Sequence, residues 1–319
     1  MSLTRLAPSP TGALHLGNAR TFLINWLMAR RNGWKILLRI EDLDGPRVKS
    51  GADKLAMDDL TWLGLDWDGE PVYQSHRTAL YQSAIDRLLA LHLAYPCICT
   101  RREAELASSA PHAEDGSNVY PGVCRDRFAS VAQARAESGR EPAIRFRMPD
   151  RAISFEDQFA GLRSFSAAAP EAAKLGDFVI AKSDGSTAYQ LAVVVDDADM
   201  NVTDVVRGDD LLDSAARQLM LYEALDMKEK APRFWHLPLV IGRDGRRLAK
   251  RHGDTRLSFY RQLGVSPSRV LALLGRWCGM ECGEEATLPE LMSRFDIHRV
   301  SRDPIVFGPD EDAWLRKGI

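Results

Sequence analysis

Apolar and polar positions follow two rhythms along this chain. Short apolar runs read as strands at Trp34–Ile40, Ala143–Arg147, Phe178–Ala181, Leu191–Val195 and His236–Ile241. Between them, apolar residues return at three- and four-residue spacing, which predicts helices over Ala19–Arg30 (amphipathic), Gly51–Leu63, Thr78–Leu91, Ser214–Leu225 and Ser266–Leu274. Strands alternating with helices predict an α/β fold on a parallel sheet, Rossmann-like in plan. The rhythm breaks from Cys97 to about Gly185, a stretch that holds paired cysteines and a Ser/Pro/Asp/Gly-rich segment from Ser108 to Asn118. That stretch reads as an insertion. After about residue 245 the pattern is helical, with no further strand signal. No internal repeat is visible. The boundaries expected are 1–94, 95–186, 187–245 and 246–319.

At the N-terminus an apolar start runs into Pro8-Ser9-Pro10-Thr11-Gly12. The element His15-Leu16-Gly17-Asn18 then opens the first helix. Strand, tight turn and helix N-terminus together bind nucleotide phosphates, because free backbone N–H groups and the helix dipole face an anion there. Gly12 and Gly17 would let phosphate or adenine approach the backbone. A plain surface turn before a helix fits the turn residues equally well.

Composition narrows the class. With 319 residues, 45% hydrophobic and 27% charged, the chain can bury a large core and fill two or three domains of roughly 100–200 residues. A net charge of -2 and a pI near 6.4 exclude a globally basic nucleic-acid binder. A polyanion would need local clusters: Arg101-Arg102, Arg145/Arg147, Arg243/Arg246/Arg247/Lys250/Arg251 or Arg294/Arg299/Arg302. Each alone also reads as a solvated face. No signal-peptide pattern is present, and no apolar run nears the ~20 residues that span a bilayer. Five cysteines do not suggest a disulfide scaffold. A cytoplasmic protein without a membrane partner is expected.

Chemistry-bearing groups recur at strand ends. Arg39-Ile40-Glu41-Asp42-Leu43-Asp44 closes the Trp34–Ile40 run, where parallel sheets bind ligands, and Glu41 could receive an ammonium group. Tyr189 would offer a phenol near the mouth of the buried Leu191–Val195 strand. Arg207, in Val205–Leu212, could clamp a carboxylate through two parallel N–H bonds. The basic run from Gly242 to Arg251 follows the last strand and could close over a triphosphate. Cys97, Cys99 and Cys124 with Tyr120 could complete a tetrahedral zinc site. Three buried cysteines, or another fourth ligand such as His112, remain alternatives. Cys278 and Cys282 are given no metal role.

Pro-Ser-Pro-Thr-Gly followed by His-Leu-Gly-Asn resembles the HIGH signature of class I aminoacyl-tRNA synthetases. The flanking Arg5-x-Ala-Pro-Ser-Pro-Thr-Gly resembles their glutamyl/glutaminyl branch. The signature ends in Asn18 rather than His, and Asn cannot carry charge. The basic run resembles the KMSKS loop, with Arg247 and Lys250 at its two lysine positions and Ala249 in place of Ser. The resemblance implies His15 and Lys250 as catalytic residues. It also implies a glutamate pocket of Arg5, Ala7, Ser9, Glu41, Tyr189 and Arg207. Contacts to ATP would come from Thr11, His15, Gly17, Asn18, Arg247 and Lys250, and magnesium would accompany ATP and shield its phosphates. The charges agree: two carboxylates and one ammonium need two cations, one anion and neutral donors.

The Cys-x-Cys…Tyr-x-x-x-Cys pattern resembles the glutamyl-Q tRNA(Asp) synthetase subfamily, which implies one structural zinc on Cys97, Cys99, Tyr120 and Cys124. On this likeness 1–94 and 187–245 are halves of the catalytic domain, and 95–186 is an acceptor-binding-like insert. The segment 246–319 carries the KMSKS-like loop and a helical stem-contact region, with no anticodon-binding domain. The implied activity is tRNA-independent activation of L-glutamate with ATP. Glutamate would then pass to the cyclopentenediol of queuosine in the anticodon stem-loop of tRNA(Asp), by a monomeric enzyme. Ser214-Ala215-Ala216-Arg217 departs from the Ser-Thr-Pro-Arg run of that subfamily. A short glutamyl-tRNA synthetase charging the 3′ end of tRNA(Glu) therefore stays open, as does a non-catalytic RNA-binding paralogue.

Overall fold

Strand β1, Leu3–Leu6, is short because Pro8 and Pro10 follow it, and proline has no N–H to give a ladder. In the computed structural model, which describes residues 1–100, 102–104, 120–166, 175–246, 248 and 253–317, β1 pairs in parallel with β2, Lys35–Ile40. Strand β2 pairs in turn with β3, Val72–Tyr73. Helix α1, Leu16–Arg31, makes the crossover from β1 to β2. On the other side of β1, the Thr203 N–H donates to the Leu3 carbonyl at 2.8 Å. That contact leads into β9, Asp204–Gly208, which pairs in parallel with β10, Arg233–Leu237. The mixed α/β core matches the alternation of the sequence.

Helix α1 departs from the amphipathic expectation. Leu16, Ala19, Leu23, Ile24, Leu27 and Ala29 are fully buried, and so are Arg20 and Asn25. The helix packs on β1, β2 and β9 and also against the helices Pro267–Trp277 and Leu288–Arg294. With cover from both sides, little of α1 meets solvent. Arg20 fastens the arrangement by donating from Nη1 to the Pro238 carbonyl at 2.6 Å and from Nε to the Trp277 carbonyl at 3.2 Å.

Two element expectations are corrected. Leu191–Val195 lies in a helix, Tyr189–Asp199, whose residues from Leu191 to Ala198 are all buried. A short run buried on every side carries no period that separates strand from helix. The C-terminal region is not purely helical: β12, Ile305–Phe307, pairs in parallel with β11, Val240–Gly242. Three residues are too few to show alternation. The run His236–Ile241 is split between β10 and β11 around Pro238.

In chain order, the strands of an antiparallel sheet come between β3 and β9. It is built from β4 (Ala94–Cys97), β5 (Ala143–Phe146) and β8 (Phe178–Ala181), in the order β4-β5-β8. A hairpin of β6, Ile153–Asp157, and β7, Gly161–Phe165, follows β5. Arg101, His112, Arg247, Ala249, Lys250 and Arg251 lie outside the described residues. Beyond them, the chain runs alongside the start of α1. The Leu16 N–H donates to the Thr255 carbonyl at 3.0 Å, and the Leu257 N–H donates to the Leu14 carbonyl at 2.8 Å. Among the described residues, no helix is long and apolar enough to cross a membrane.

Candidate active site

Parallel strands deliver their carboxyl ends to one edge of a sheet. A cleft of about 630 Å³ opens where β1, β2 and β9 end. Arg5, Ala7, Ser9, Thr11, His15, Gly17, Asn18, Glu41, Tyr189 and Arg207 all line it. Every residue singled out for glutamate or ATP that falls among the described residues is therefore in one place. The turn after β1 is tied to the exit of β2, with the Glu41 N–H donating to the Pro8 carbonyl at 3.0 Å.

His15 is the N-cap of α1. Its Nδ1 accepts from the backbone N–H of Gly17 at 3.1 Å and of Asn18 at 3.3 Å. The Asn18 carboxamide oxygen accepts in return from the His15 N–H at 3.3 Å. This corrects the expectation of free N–H groups at the helix start, because the imidazole already takes two of them. Since Nδ1 accepts, a neutral ring carries its proton on Nε2. Gly17 serves the same contact. A Cβ there would stand 3.1 Å from the His15 ring, so the glycine makes room for imidazole. A Cβ on Gly12 would meet nothing within 4 Å.

The pocket end of the cleft rests on a buried charge network centred on Arg39. Arg39 Nη1 donates to Asp197 Oδ1 at 2.5 Å and Nη2 donates to Glu41 Oε1 at 3.1 Å. Arg5 Nε lies 3.7 Å from the same Asp197 oxygen and has no hydrogen-bond partner, although it is buried. Burial opposes the charge on Arg39, but Asp197, Glu41 and Asp196 outweigh it and raise its pKa. Burial lowers the pKa of Arg5 and pushes the Glu41 carboxyl up, against the pull of Arg39 and Arg5. Asp196, also buried, accepts from Gln74 at 2.7 Å, Arg77 at 2.7 Å and Tyr81 at 2.8 Å.

Arg207 is the next-to-last residue of β9. Its Nε donates to His236 Nε2 at 2.9 Å, its Nη2 to the Leu211 carbonyl at 3.2 Å and its Nη1 to the Tyr189 hydroxyl at 3.4 Å. Tyr189 opens a helix rather than leading into a strand. Burial raises its pKa, so the phenol keeps its proton to donate. Sequence reasoning assigned no role to Arg39, Asp197, His236 or Lys182. The last of these pairs with Asp44 at 2.8 Å on the cleft wall. Arg39 did carry a signal: a lone charge inside the apolar run Ile36–Ile40 needs a buried partner.

A second constellation forms in the segment after β4. The turn at Gly122, with φ of +77°, returns the chain so that Cys124 faces Cys97 and Cys99. The three sulfurs lie within 4.8 Å of one another. The Tyr120 hydroxyl is 3.3 Å from Cys97 Sγ and 3.4 Å from Cys99 Sγ. Arg145 is not a solvated charge. Its Nε donates to Cys97 Sγ at 3.3 Å and its guanidinium stacks 3.8 Å over the Tyr120 ring. Three thiols and a phenol converging in a half-buried pocket fit a tetrahedral soft-metal site, and the adjacent guanidinium offsets the negative charge of such a donor set.

The comparisons with known proteins agree with this geometry. Residues 2–309 match the catalytic domain of the class I tRNA synthetases (E and Q). The chain is 46% identical over 324 residues to a glutamyl-Q tRNA(Asp) synthetase of Symbiobacterium thermophilum, covering 98% of each chain. It is 45% identical to one of Rhodopirellula baltica, covering 98% of this chain and 99% of that one. A glutamate–tRNA ligase of Citrifermentans bemidjiense is 41% identical over 98% of this chain, which spans 64% of that relative. Among solved structures, the glutamate tRNA ligase from Elizabethkingia meningosepticum in complex with its amino acid superposes with a TM-score of 0.80. Its identity is 29%, and the match covers 98% of this chain and 68% of that one. The likeness runs from one end of the chain to the other, and the chain belongs to the class I tRNA synthetases of the E and Q type and is a ligase.

Proposed function

We propose that this enzyme activates L-glutamate with ATP, the α-carboxylate attacking the α-phosphate to give glutamyl-AMP and pyrophosphate, and that a cyclopentenediol hydroxyl of queuosine in the anticodon of tRNA(Asp) then takes the glutamyl group and releases AMP. One observation carries the first step. Two buried guanidinium groups, Arg5 and Arg207, flank the Glu41 carboxylate and the Tyr189 phenol in a cleft that also holds the capped start of α1. Glu41 takes the substrate ammonium. Arg5 and Arg207 take its carboxylates, with Ser9, Tyr189 and the Ala7 backbone completing the pocket. A fixed Arg opposite the side-chain carboxylate also rejects glutamine. Thr11, Gly17 and Asn18 border the nucleotide. His15 donates its Nε2–H to a phosphate oxygen, and Arg247 and Lys250 supply positive charge to the leaving pyrophosphate. Magnesium arrives with ATP and shields its phosphates.

Zinc, held by Cys97, Cys99, Tyr120 and Cys124, supplies a structural cross-link between the end of β4 and the turn at Gly122. On this reading the segments 1–94, 95–186, 187–245 and 246–319 act as catalytic halves, insert and stem-contact region, and the enzyme works as a cytoplasmic monomer. The choice of queuosine rests on the relatives named glutamyl-Q tRNA(Asp) synthetase, which match along their whole length. The second reading, charging the 3′ end of tRNA(Glu), is favoured by the glutamate–tRNA ligase likenesses.

The test is transfer of labelled glutamate to bulk tRNA containing queuosine, followed by identification of the labelled species. Label in the anticodon of tRNA(Asp) supports the proposal; label on the 3′ end of tRNA(Glu) replaces it with the second reading. Arg5→Ala should abolish glutamate-dependent pyrophosphate exchange while the fold survives, and normal exchange would overturn the pocket.

A further inference from the structure

Arg207 does not hold itself in place. One edge of its guanidinium is fully engaged, with Nε–H on His236 Nε2 at 2.9 Å and Nη2 on the Leu211 carbonyl at 3.2 Å. Nη1 is left beside Tyr189, on the cleft side. His236 can accept from Arg207 only if its Nε2 is bare, and the group that secures this is Asp157. Asp157 Oδ2 lies 2.6 Å from His236 Nδ1. A carboxylate is an acceptor, so the proton between them belongs to Nδ1. The Leu211 carbonyl, 3.2 Å from Nε2, draws its proton from Arg207 instead.

Asp157 is itself fixed. Its Oδ1 accepts from the backbone N–H of Phe159 at 3.0 Å, of Ala160 at 2.6 Å and of His236 at 3.2 Å. The next residue, Gln158, donates its N–H to the Phe234 carbonyl of β10 at 2.8 Å. Asp157 and His236 are each 1% exposed, so no water competes for these bonds. The carboxylate comes from the β6–β7 hairpin, inside the segment that interrupts the parallel strands, whereas His236 and Arg207 sit on neighbouring strands β10 and β9.

We propose that Asp157 and His236 are positioning residues that lock the imidazole in its Nδ1–H tautomer and so aim Arg207 at the substrate carboxylate. The inserted hairpin thereby becomes part of the specificity device of the cleft. This inference rests on the glutamate pocket proposed above. It goes beyond that pocket in naming two residues that touch no substrate.

Asp157→Asn separates positioning from packing. The amide oxygen can keep the three backbone donors. Its NH2 group then faces Nδ1, which must become an acceptor, and the imidazole proton moves to Nε2. Arg207 Nε–H meets a donor and loses its anchor. In glutamate-dependent pyrophosphate exchange, Asp157→Asn should raise the KM for glutamate about tenfold or more, the worth of one hydrogen bond to a charged group. The KM for ATP should stay within about twofold. His236→Gln keeps an acceptor near Arg207 and removes the imidazole, so Asp157→Asn should add little in that background. Unchanged glutamate KM in Asp157→Asn, or penalties that simply add in the double variant, would overturn the lock.

A readout independent of activity accompanies the kinetics. In protein labelled with 15N-histidine, the ring correlations of His236 should report Nδ1–H in the wild type and Nε2–H in Asp157→Asn. Nε2–H in the wild type would overturn the proposal. If the wild type shows no glutamate-dependent exchange, the glutamate pocket falls, and the tautomers still decide whether Asp157 sets His236.

Discussion

Asp59 sits on the buried side of helix α2, Ala52–Trp62, and is 1% exposed. A hydrogen bond from the Leu14 backbone and the charge of Arg261 favour its ionised form, but burial outweighs both and pushes its pKa up to about 6. Its Oδ2 has no hydrogen-bond partner. A carboxyl whose folded pKa lies above its ordinary value of 3.8 prefers to stay protonated in the fold. Its contribution to stability is therefore complete below the unfolded pKa and is lost as pH rises through about 6. A rise from 3.8 to about 6 corresponds to about 3 kcal/mol when complete. About 1 kcal/mol of that loss is already present near pH 4.5, leaving about 2 kcal/mol between about pH 4.5 and about pH 8. Asp59→Asn removes the ionisation while its oxygen can still accept from Leu14. Any fixed cost of burying the amide is the same at every pH, so the difference between wild type and variant isolates the titration. Urea unfolding followed by tryptophan fluorescence should show the variant gaining about 2 kcal/mol on the wild type over that interval. Parallel stability curves would refute the reasoning, because they would mean that Asp59 is solvated or paired in the fold.

Three further outcomes are expected. Gly17→Ala places a methyl 3.1 Å from the His15 ring and displaces it from the N-cap; the kcat of exchange should fall on the order of tenfold with glutamate KM little changed, and an unchanged kcat would show that the cap does not position the imidazole. Burial raises the Glu41 pKa, and its carboxylate is the proposed ammonium partner. Glutamate KM should therefore climb as pH falls through a point above the ordinary carboxylate range. Glu41→Gln should have a high KM without that limb, and a limb that persists in the variant assigns it elsewhere. Tyr120→Phe deletes the oxygen shared by Cys97 and Cys99; the purified wild type should carry about one zinc per chain, lose thermal stability on chelation, and hold zinc more tightly than the variant. Equal chelator resistance in the two proteins would remove Tyr120 from the site.

Groups that line the cleft were the more legible part of this chain. His15 and Tyr189 stand at helix starts and Glu41 and Arg207 at or just past strand ends, where polar residues interrupt an apolar pattern, and all four reach the cleft. The parallel core followed from the same alternation. What escaped was set by tertiary context. The Leu191–Val195 run became a helix because it is covered on all sides, and no periodicity survives uniform burial. Gly17 was read as space for phosphate, yet the space is filled by a side chain two residues away. His236 lies in an apolar strand and Asp157 at a hairpin turn, 79 residues apart in sequence, and neither position announces the other.

The charges of the pocket explain why the misses fall where they do. A ligand with two carboxylates and one ammonium fixes the sign of each group it touches, and residues of those signs can be sought in a sequence. It does not determine how a buried guanidinium or carboxylate stays charged without water. Glu41 pairs with Arg39, and Arg39 is held by Asp197, which also faces Arg5. Arg39 thus joins the anionic and cationic halves of the pocket through one buried group. Removing it would leave Glu41 and Asp197 buried without its compensation, and breaking a buried ion pair from one side costs about 3–5 kcal/mol. Arg39→Met should consequently lower both stability and glutamate affinity, whereas Arg207→Lys, with its replacement ammonium at the rim of the network, should lower affinity with a smaller loss of stability. Denaturant unfolding and exchange kinetics on the two variants measure the contrast. Equal losses of stability would show that Arg39 is not the group that holds the network together.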